Sequence, residues 1–559
     1  MRIALVRQLD RWPLLVGLAV LIVLVAYPAA LLIVQSIFPE ALAGDFSGPF
    51  GAYRRILTTD GVPGMLWNSV RWAGATTALA WLMGVPCGYV LARTNLRGKV
   101  IARLLFLVPI MTPPYVFALS YTLLMLPGGF GDSMLGGVPE WLRSLFFSFW
   151  GVTFVMAISS FGYITLAVET ALRATPIRLE HAAAMLGASR MDQFRLVLLP
   201  LLRPALLNAG LLVFLDAISN FGVPAIMGPR ANLPLLPAEI YALITSWPVD
   251  FPLATALSSL LLFVAILTLL INQRLLRRSQ QFSGRSPQTQ EYALSPLGHV
   301  LIWLGFILVF LLTVLLPYLA MLLSSVVDRW AAGTPELTWR HYRELLTPGS
   351  RGLGALWTSL WLSLAAATIC AALGGFIAYA IARFRGPLAT LLDLTATLPR
   401  VLPKIVMAVA LIMAWNAPWV GDLRLYNTIW MLLVAYIALY LSDALRYGDA
   451  GMRQISPRLE HAAESLGASR ARSFGRITLP LLWPSLLAGW LTTFIACMRD
   501  LVASVILLPP GVETVGSFIF NQFEQGEIAA AMAMATLVMI LTTTVLLFVQ
   551  RSARGGTRR

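Results

Sequence analysis

Twelve predominantly apolar stretches of about 20 or more residues recur along this chain, near 14–38, 65–92, 104–126, 147–171, 205–227, 251–273, 299–325, 355–382, 388–416, 425–446, 485–508 and 527–550. A helix needs about 20 such residues to cross a ~30 Å hydrocarbon core at ~1.5 Å rise per residue. The pattern therefore predicts an all-α integral membrane protein with about 12 transmembrane helices. Only 12% of the 559 residues are charged, about half the share of an ordinary soluble domain, which excludes a water-soluble enzyme. The net charge of +15 would suit a nucleic-acid partner only if it formed a basic face on a soluble domain. Here the arginines lie mostly in short stretches between apolar runs, so the expected partner is the lipid bilayer and no nucleic acid. The first run follows Arg2, Arg7 and Arg11 and is longer than the ~7–15 residues of a signal-peptide core, so it reads as an uncleaved anchor.

Orientation follows from the basic residues. With a cytoplasmic N-terminus, 28 of the 41 Lys and Arg fall in the cytoplasmic loops, the two tails or the span end at Arg446; 9 fall on the other side and 4 within spans (Arg71, Arg400, Lys404, Arg499). An excess of about three to one predicts a multi-pass protein with both termini cytoplasmic. The cysteines Cys87, Cys370 and Cys497 each lie inside an apolar run without CxxC spacing, as membrane-packed small hydrophobes do. The only lysines are Lys99, followed by Val, and Lys404, followed by Ile. A phosphate-binding P-loop requires Gly-Lys followed by Ser or Thr, so no ATP site of that kind, no catalytic residue and no bound cofactor is expected.

The chain repeats itself. RLEHAAAMLGASRMDQFRLVLLPLLRP at 178–204 matches RLEHAAESLGASRARSFGRITLPLLWP at 458–484 in 17 of 27 positions, at an offset of 280. Earlier in each half, Leu66-Trp67-Asn68-Ser69 parallels Leu356-Trp357-Thr358-Ser359, and Leu91-Ala92-Arg93 parallels Ile381-Ala382-Arg383, at an offset of 290. Duplication of a six-span unit explains both. The halves are 1–273, with a cytoplasmic loop near 174–204, and 299–559, with a loop near 454–484. The polar stretch 274–298 joins them as a linker. The likeness peaks in a cytoplasmic loop, where a short Ala-rich helix ends at Gly187 before the chain re-enters the membrane near Pro200. A duplicated helix of this kind is a docking surface, and its two copies call for a two-fold partner.

With His181-Ala182-Ala183, Gly187, Val197, Leu199 and Pro200 in one half and His461-Ala462-Ala463, Gly467, Ile477, Leu479 and Pro480 in the other, the chain resembles the permeases of bacterial ABC importers that work with a substrate-binding protein. Their signature loop is E-A-A-x3-G-x9-I-x-L-P. The departure is His181 and His461 at the signature Glu, with Glu180 and Glu460 one residue earlier. Two copies in one chain look like the fused permeases of the ferric-iron type, near those for thiamine and polyamines. Ser219-Asn220-Phe221-Gly222-Val223-Pro224-Ala225 and Met498-Arg499-Asp500-Leu501 look most like the iron branch.

The resemblance implies two homologous six-helix halves of the type I permease fold in a bacterial inner membrane. It implies two ATP-binding ABC subunits docked on the cytoplasmic coupling loops, so that ATP is held by the partners and not by this chain. A periplasmic or extracellular substrate-binding protein would deliver the cargo. Ferric iron is the favoured cargo; thiamine, a polyamine, a phosphonate or another small solute is the alternative. The coupling residues would be Glu180, His181, Ala182, Ala183, Gly187 and Pro200, with Glu460, His461, Ala462, Ala463, Gly467 and Pro480.

Charges inside spans are costly and mark either pathways or paired structure. Arg400 and Lys404 flank a Pro399…Pro403 break. Arg499 and Asp500 lie in the eleventh span, Asp500 falls opposite Asn220 at the repeat offset, and Asp216 lies one turn before Asn220. These six are the candidate pathway lining, with interhelical ion pairing as the plainer alternative. His181 and His461 read as docking contacts and not as metal ligands, because no convergent partners accompany them. Met111, Tyr115, Tyr121 and Met125 read as helix packing, and no metal site is expected. A secondary transporter with six-plus-six repeats is the rival class, although it would need no duplicated cytoplasmic loop.

Overall fold

The structure is a computed structural model that describes residues 12–59, 61–176, 178–277, 291–327 and 336–556. Among them it is all-helical, with no extended pairing beyond isolated bridges. Ten helices are long and apolar enough to cross a membrane, and two bent helix pairs raise the number to twelve if each pair is one span. The core of the expected linker, 278–290, and the arginines at 2, 7 and 11 lie outside the described residues.

The helices group into two compact units that do not coincide with the two sequence halves. One comprises the described residues of Met1–Thr58, Ile240–Leu260 and Thr338–Arg559; the other comprises those of Thr59–Glu239 and Leu261–Leu337. The first span, Trp12–Ile37, thus belongs with the second repeat, and the seventh, Pro296–Ser325, belongs with the first. Each unit thus combines most of one repeat with the leading span of the other, and Ile240–Leu260 groups with the second repeat. Leu14 and Leu21 of the first span join Ile377, Leu392, Leu441, Leu445 and Leu482 in one apolar core. In the other unit, Phe306 of the seventh span joins Phe106, Phe161, Ile164 and Leu202. The three cysteines are free and buried.

Proline places the irregularities. A proline has no N–H for the carbonyl four residues earlier. Four π-helical turns, Ile22–Ala26, Gln193–Leu198, Leu311–Leu315 and Phe474–Thr478, each stop shortly before a proline, at Pro28, Pro200, Pro317 and Pro480. The wider turn accommodates the lost bond. The third span, expected as 104–126, and the ninth, expected as 388–416 with a Pro399…Pro403 break, are both bent helix pairs. Lys99–Met111 meets Pro114–Met125 at 93°, and Pro387–Val401 meets Lys404–Trp415 at 111°. Pro113 and Pro403 immediately precede the second helix of each pair, where a proline holds the extended backbone that separates two helices.

The fifth and eleventh helices also differ from the expected 205–227 and 485–508. They begin within the duplicated loops, as Gln193–Ser219 and Arg470–Met498. They end at polar breaks, followed by the short helices Gly222–Met227 and Val502–Leu507.

Close packing of the second span on the fourth, and of the eighth on the tenth, uses glycines at matching repeat positions. A Cβ on Gly84 would lie 2.7 Å from Ile164 Cβ and 2.8 Å from the Phe161 carbonyl oxygen; one on Gly374 would lie 2.8 Å from the Leu445 backbone nitrogen. Small residues that let backbones approach this closely are the usual device of membrane helix pairs. Gly84→Leu or Gly374→Leu should therefore destabilise the protein by about 1–3 kcal/mol or more, as overpacking does. Gly74→Leu, where a Cβ meets nothing within 4 Å, should leave the thermal midpoint in detergent nearly unchanged. Equal midpoints for all three variants would contradict this packing.

Candidate coupling loops and intramembrane charge network

Both loops fold as a short helix, a corner and a second helix, and the shared letters G-A-S explain why. Arg178–Met185 ends in a left-handed Gly187 at φ +85°. There the Ala188 N–H bonds to the Ala183 carbonyl at 3.0 Å and the Gly187 N–H to that of Ala184 at 3.0 Å. This is the glycine-terminated closure of a helix C-terminus. Ser189 then opens the next helix by reciprocal capping with Asp192, its hydroxyl donating to Oδ2 at 2.6 Å and accepting from the Asp192 N–H at 3.2 Å. The second loop repeats the corner: Gly467 has φ +85°, and the Ala468 N–H bonds to the Ala463 carbonyl at 3.0 Å. Pro200 and Pro480 follow the π-helical turns near the head of the fifth and eleventh helices, which accommodate their missing N–H.

The departure at the signature Glu has a geometric answer. Glu180 and Glu460 point inward, 1% and 8% exposed, and each carboxylate is held by an arginine from the C-terminal end of a neighbouring span. Arg93 Nη2 stands 2.8 Å from Glu180 Oε1. Arg383 grips Glu460 with two prongs, Nε to Oε2 at 2.7 Å and Nη2 to Oε1 at 3.1 Å. Arg93 and Arg383 are the paired positions of the Leu-Ala-Arg and Ile-Ala-Arg echo. Repeat matching therefore carried a sign of the contact, although it did not identify the partner.

With the glutamates inward, the outward face of each loop carries His181 and Ala182, or His461 and Ala462. Beside them stand some of the most exposed apolar side chains of the structure, Met185 (89%) and Leu186 (89%) in one loop and Leu466 (90%) in the other. Ala183 and Ala463 are intermediate in exposure. The loop is thus a buried ionic strut beneath an exposed apolar and imidazole face.

Within the membrane, the second repeat brings three polar groups together. Asp500 follows the end of Leu479–Met498 and caps Val502–Leu507, its Oδ2 accepting from the Ala503 N–H at 2.9 Å and the Ser504 N–H at 3.4 Å. Its Oδ1 accepts from the Tyr440 hydroxyl at 2.7 Å and lies 3.6 Å from Lys404 Nζ, which donates to the Tyr440 oxygen at 2.9 Å. Lys404 is the first residue of its helix, a position where the helix dipole disfavours a cation, so the neighbouring carboxylate balances it. Tyr440 had no identifying sign in the sequence. Asp443, which faces the field of Arg400, Lys404 and Arg446, was legible as a charge within the tenth span and belongs with this set.

The first repeat replaces Asp500 with a neutral cap: Asn220 Oδ1 accepts from the Val223 N–H at 3.0 Å at the start of Gly222–Met227. Asp216 lies on an exposed face of its helix, and Arg499 is half-buried. Of the six expected lining residues, Lys404 and Asp500 meet directly, and Asn220 shares only Asp500's capping role. Tyr115, Tyr121 and Met125 are buried in packing, and the Tyr121 hydroxyl donates to the Leu312 carbonyl.

A family model described as the inner membrane component of binding-protein-dependent transport systems matches the chain twice, over residues 84–280 and 371–558. The ferric transport system permease protein of Actinobacillus pleuropneumoniae is 26% identical over 513 residues, covering 88% of this chain and 72% of that one. A putative 2-aminoethylphosphonate transport system permease protein of Salmonella typhi is 28% identical over 245 residues, covering 43% of this chain and 89% of that one. Among solved structures, a bacterial ABC transporter involved in the import of the acidic polysaccharide alginate matches at a TM-score of 0.39 and 18% identity, over 46% of this chain and 94% of the matched chain.

The buried struts make a thermodynamic prediction. Removing one partner of a buried ion pair costs about 3–5 kcal/mol, whereas replacing both by apolar groups is often neutral. Glu460→Ala should therefore lower the thermal midpoint clearly, and Arg383→Met combined with Glu460→Leu should recover most of the loss. A midpoint unchanged in the single variant would show that the pair bears no load.

Proposed function

The chain belongs to the family of inner membrane components of binding-protein-dependent transport systems, and on that footing we propose that it forms the whole membrane pathway of an ATP-driven importer whose favoured cargo is ferric iron. The family match sets aside the secondary-transporter reading. The observation that carries the coupling proposal is the duplicated loop: two equivalent helices, each fixed to its own unit by a buried Arg–Glu pair and each presenting an exposed apolar face. An exposed Met185-Leu186 or Leu466 on a cytoplasmic loop costs solvation unless a partner covers it. Two copies suit two ATP-binding subunits, which supply the hydrolysis that this chain has no P-loop to perform. Both termini would lie in the cytoplasm by the arginine excess, and a substrate-binding protein would engage the opposite face.

The cargo reading draws its support from coverage. The relative named for ferric transport aligns across 88% of the chain, whereas the relative named for 2-aminoethylphosphonate aligns across 43%. A second reading, a phosphonate, draws its support from the relative named for 2-aminoethylphosphonate transport. Coupling between nucleotide and cargo would be a two-state equilibrium of the units, biased by ATP on one face and by the binding protein on the other.

Uptake of labelled ferric ion, 2-aminoethylphosphonate, thiamine and putrescine by a deletion strain and its parent tests the cargo. Selective loss of ferric uptake, restored by the intact gene, is the expected result; loss of only the phosphonate would install the second reading. For the loops, Gly187→Val with Gly467→Val forces a β-branched residue to φ +85°, where strain of about 1–3 kcal/mol per site is usual. No neighbouring atom lies within 4 Å of either Cβ, so membrane insertion should persist while transport per ATP hydrolysed falls. Normal uptake by this double variant would contradict the coupling assignment.

A further inference from the structure

The two coupling loops are not held in the same way. Glu460 takes its second partner from its own repeat: the Thr478 hydroxyl donates to Oε1. At the repeat offset of 280 the first half has Leu198 in that place, a buried residue with nothing to donate. The missing hydroxyl comes from far along the chain, where Tyr292 donates to Glu180 Oε2 at 3.1 Å.

Tyr292 lies just ahead of the seventh span, and its backbone is fixed too. Its N–H bonds to the Arg93 carbonyl at 2.7 Å and its carbonyl accepts from the Asn95 N–H at 3.1 Å, an isolated parallel bridge across Thr94. On either side, Glu291 pairs with Lys99 at 2.6 Å and the Leu294 N–H bonds to Asn95 Oδ1 at 2.8 Å. The His181 ring packs edge-on to the Tyr292 ring at 6.1 Å between centroids. Burial, then the adjacent Glu180 carboxylate, push the Tyr292 phenol up to about 12, so the hydroxyl remains a donor throughout the physiological range.

The seventh span continues this connection into the membrane. Trp303 Nε1 donates to the Arg97 carbonyl at 3.1 Å. Higher up, the Tyr318 hydroxyl bonds to that of Thr112, which sits at the 93° bend of the third span. The second helix of that bent span, Pro114–Met125, packs against Gly222–Met227, the short helix capped by Asn220. The stretch from Tyr292 to Ser325 therefore bonds to the coupling loop's Glu180 through Tyr292, just ahead of the seventh span, and to the hinge of a broken span through Tyr318 near its other end.

We propose that residues 291–294 form a strap that makes the first coupling loop and the seventh span move as one body, with Tyr292 the positioning residue. The strap transmits loop displacement to the Thr112–Pro113 hinge, and the two loops are accordingly non-equivalent: the second carries its glutamate's hydroxyl donor within its own repeat. This inference rests on the coupling role proposed above. A shared rigid element that both ends bias is the physical requirement for such transmission.

The test uses the full chain in its assembled complex. Cells of the deletion strain carrying wild-type or variant chains are given labelled ferric ion, and complexes purified from the same cells are assayed for ATP hydrolysis and thermal midpoint. Tyr292→Phe should insert normally and keep ATP hydrolysis, while uptake per ATP falls at least about fivefold, the low end of ordinary coupling energies. Adding Leu198→Thr supplies Glu180 with the hydroxyl that Glu460 has; it should restore the thermal midpoint and leave uptake per ATP low. Asn95→Ala, which loosens the strap without touching Glu180, should lower the ratio in the same direction.

Unchanged uptake per ATP in Tyr292→Phe, or full recovery on adding Leu198→Thr, would overturn the strap and reduce Tyr292 to a hydrogen-bond donor. A wild-type chain that restores no ferric uptake would instead refute the cargo reading. The strap is then decided by the same variants with labelled 2-aminoethylphosphonate.

Discussion

A carboxylate removed from water must be met by a cation or by several donors, and at the base of each duplicated loop that requirement fixes the local structure. Arg93–Glu180 and Arg383–Glu460 tie a loop helix to the end of a membrane span, and the helix can face only one way once its glutamate is turned in. The outward face is then determined by the helical period: with Glu180 inward, His181, Ala182 and Met185 are left toward solvent. The one-residue displacement of Glu from the signature position is thus compatible with a preserved loop. The glutamate serves the interior, and the exposed contact surface is imidazole and aliphatic.

A second constraint acts inside the bilayer, where a broken helix must have its free backbone groups satisfied from within the protein. Each of the four breaks meets it locally. Asn220 and Asp500 cap the helices that follow theirs, while Pro113 and Pro403 open helices at positions where an N–H would have lacked a partner. The repeats solve the problem with different charge: the first with a neutral amide, the second with a carboxylate balanced by Lys404 and Tyr440. Halves that share 17 of 27 loop positions thus differ in charge at this break in the membrane interior.

The apolar runs were enough to count the spans, because length and composition alone decide what can cross a bilayer, and the repeat was legible in the matching letters of its loops. Gly187 and Gly467 were legible as helix ends for the same local reason. What sequence could not show was the exchange of leading spans between repeats, because apolar helices of similar composition carry no mark of which neighbour they pack on. The bends were half legible: Pro399 and Pro403 marked the ninth span, the third was read as one run, and neither angle is set by local sequence because it depends on tertiary contacts. Asp500 and Asn220 were paired by offset, whereas Tyr440 became visible only when three helices were brought together. Glu180 and Glu460 were read as members of the coupling loops, and their pairing with Arg93 and Arg383 was not legible, because burial and not the motif selects those partners.

The central claim is that the exposed face of each loop, above its buried strut, is where the ATP-hydrolysing subunits dock. Single cysteines placed at Leu186 and at Leu466, with the buried Cys87, Cys370 and Cys497 as background, can be treated with a short bifunctional crosslinker in native membranes that transport normally. Both positions should crosslink to an ATP-binding subunit, with the yield changing when ATP is added. Transport-competent membranes in which neither position reaches such a subunit would contradict the account.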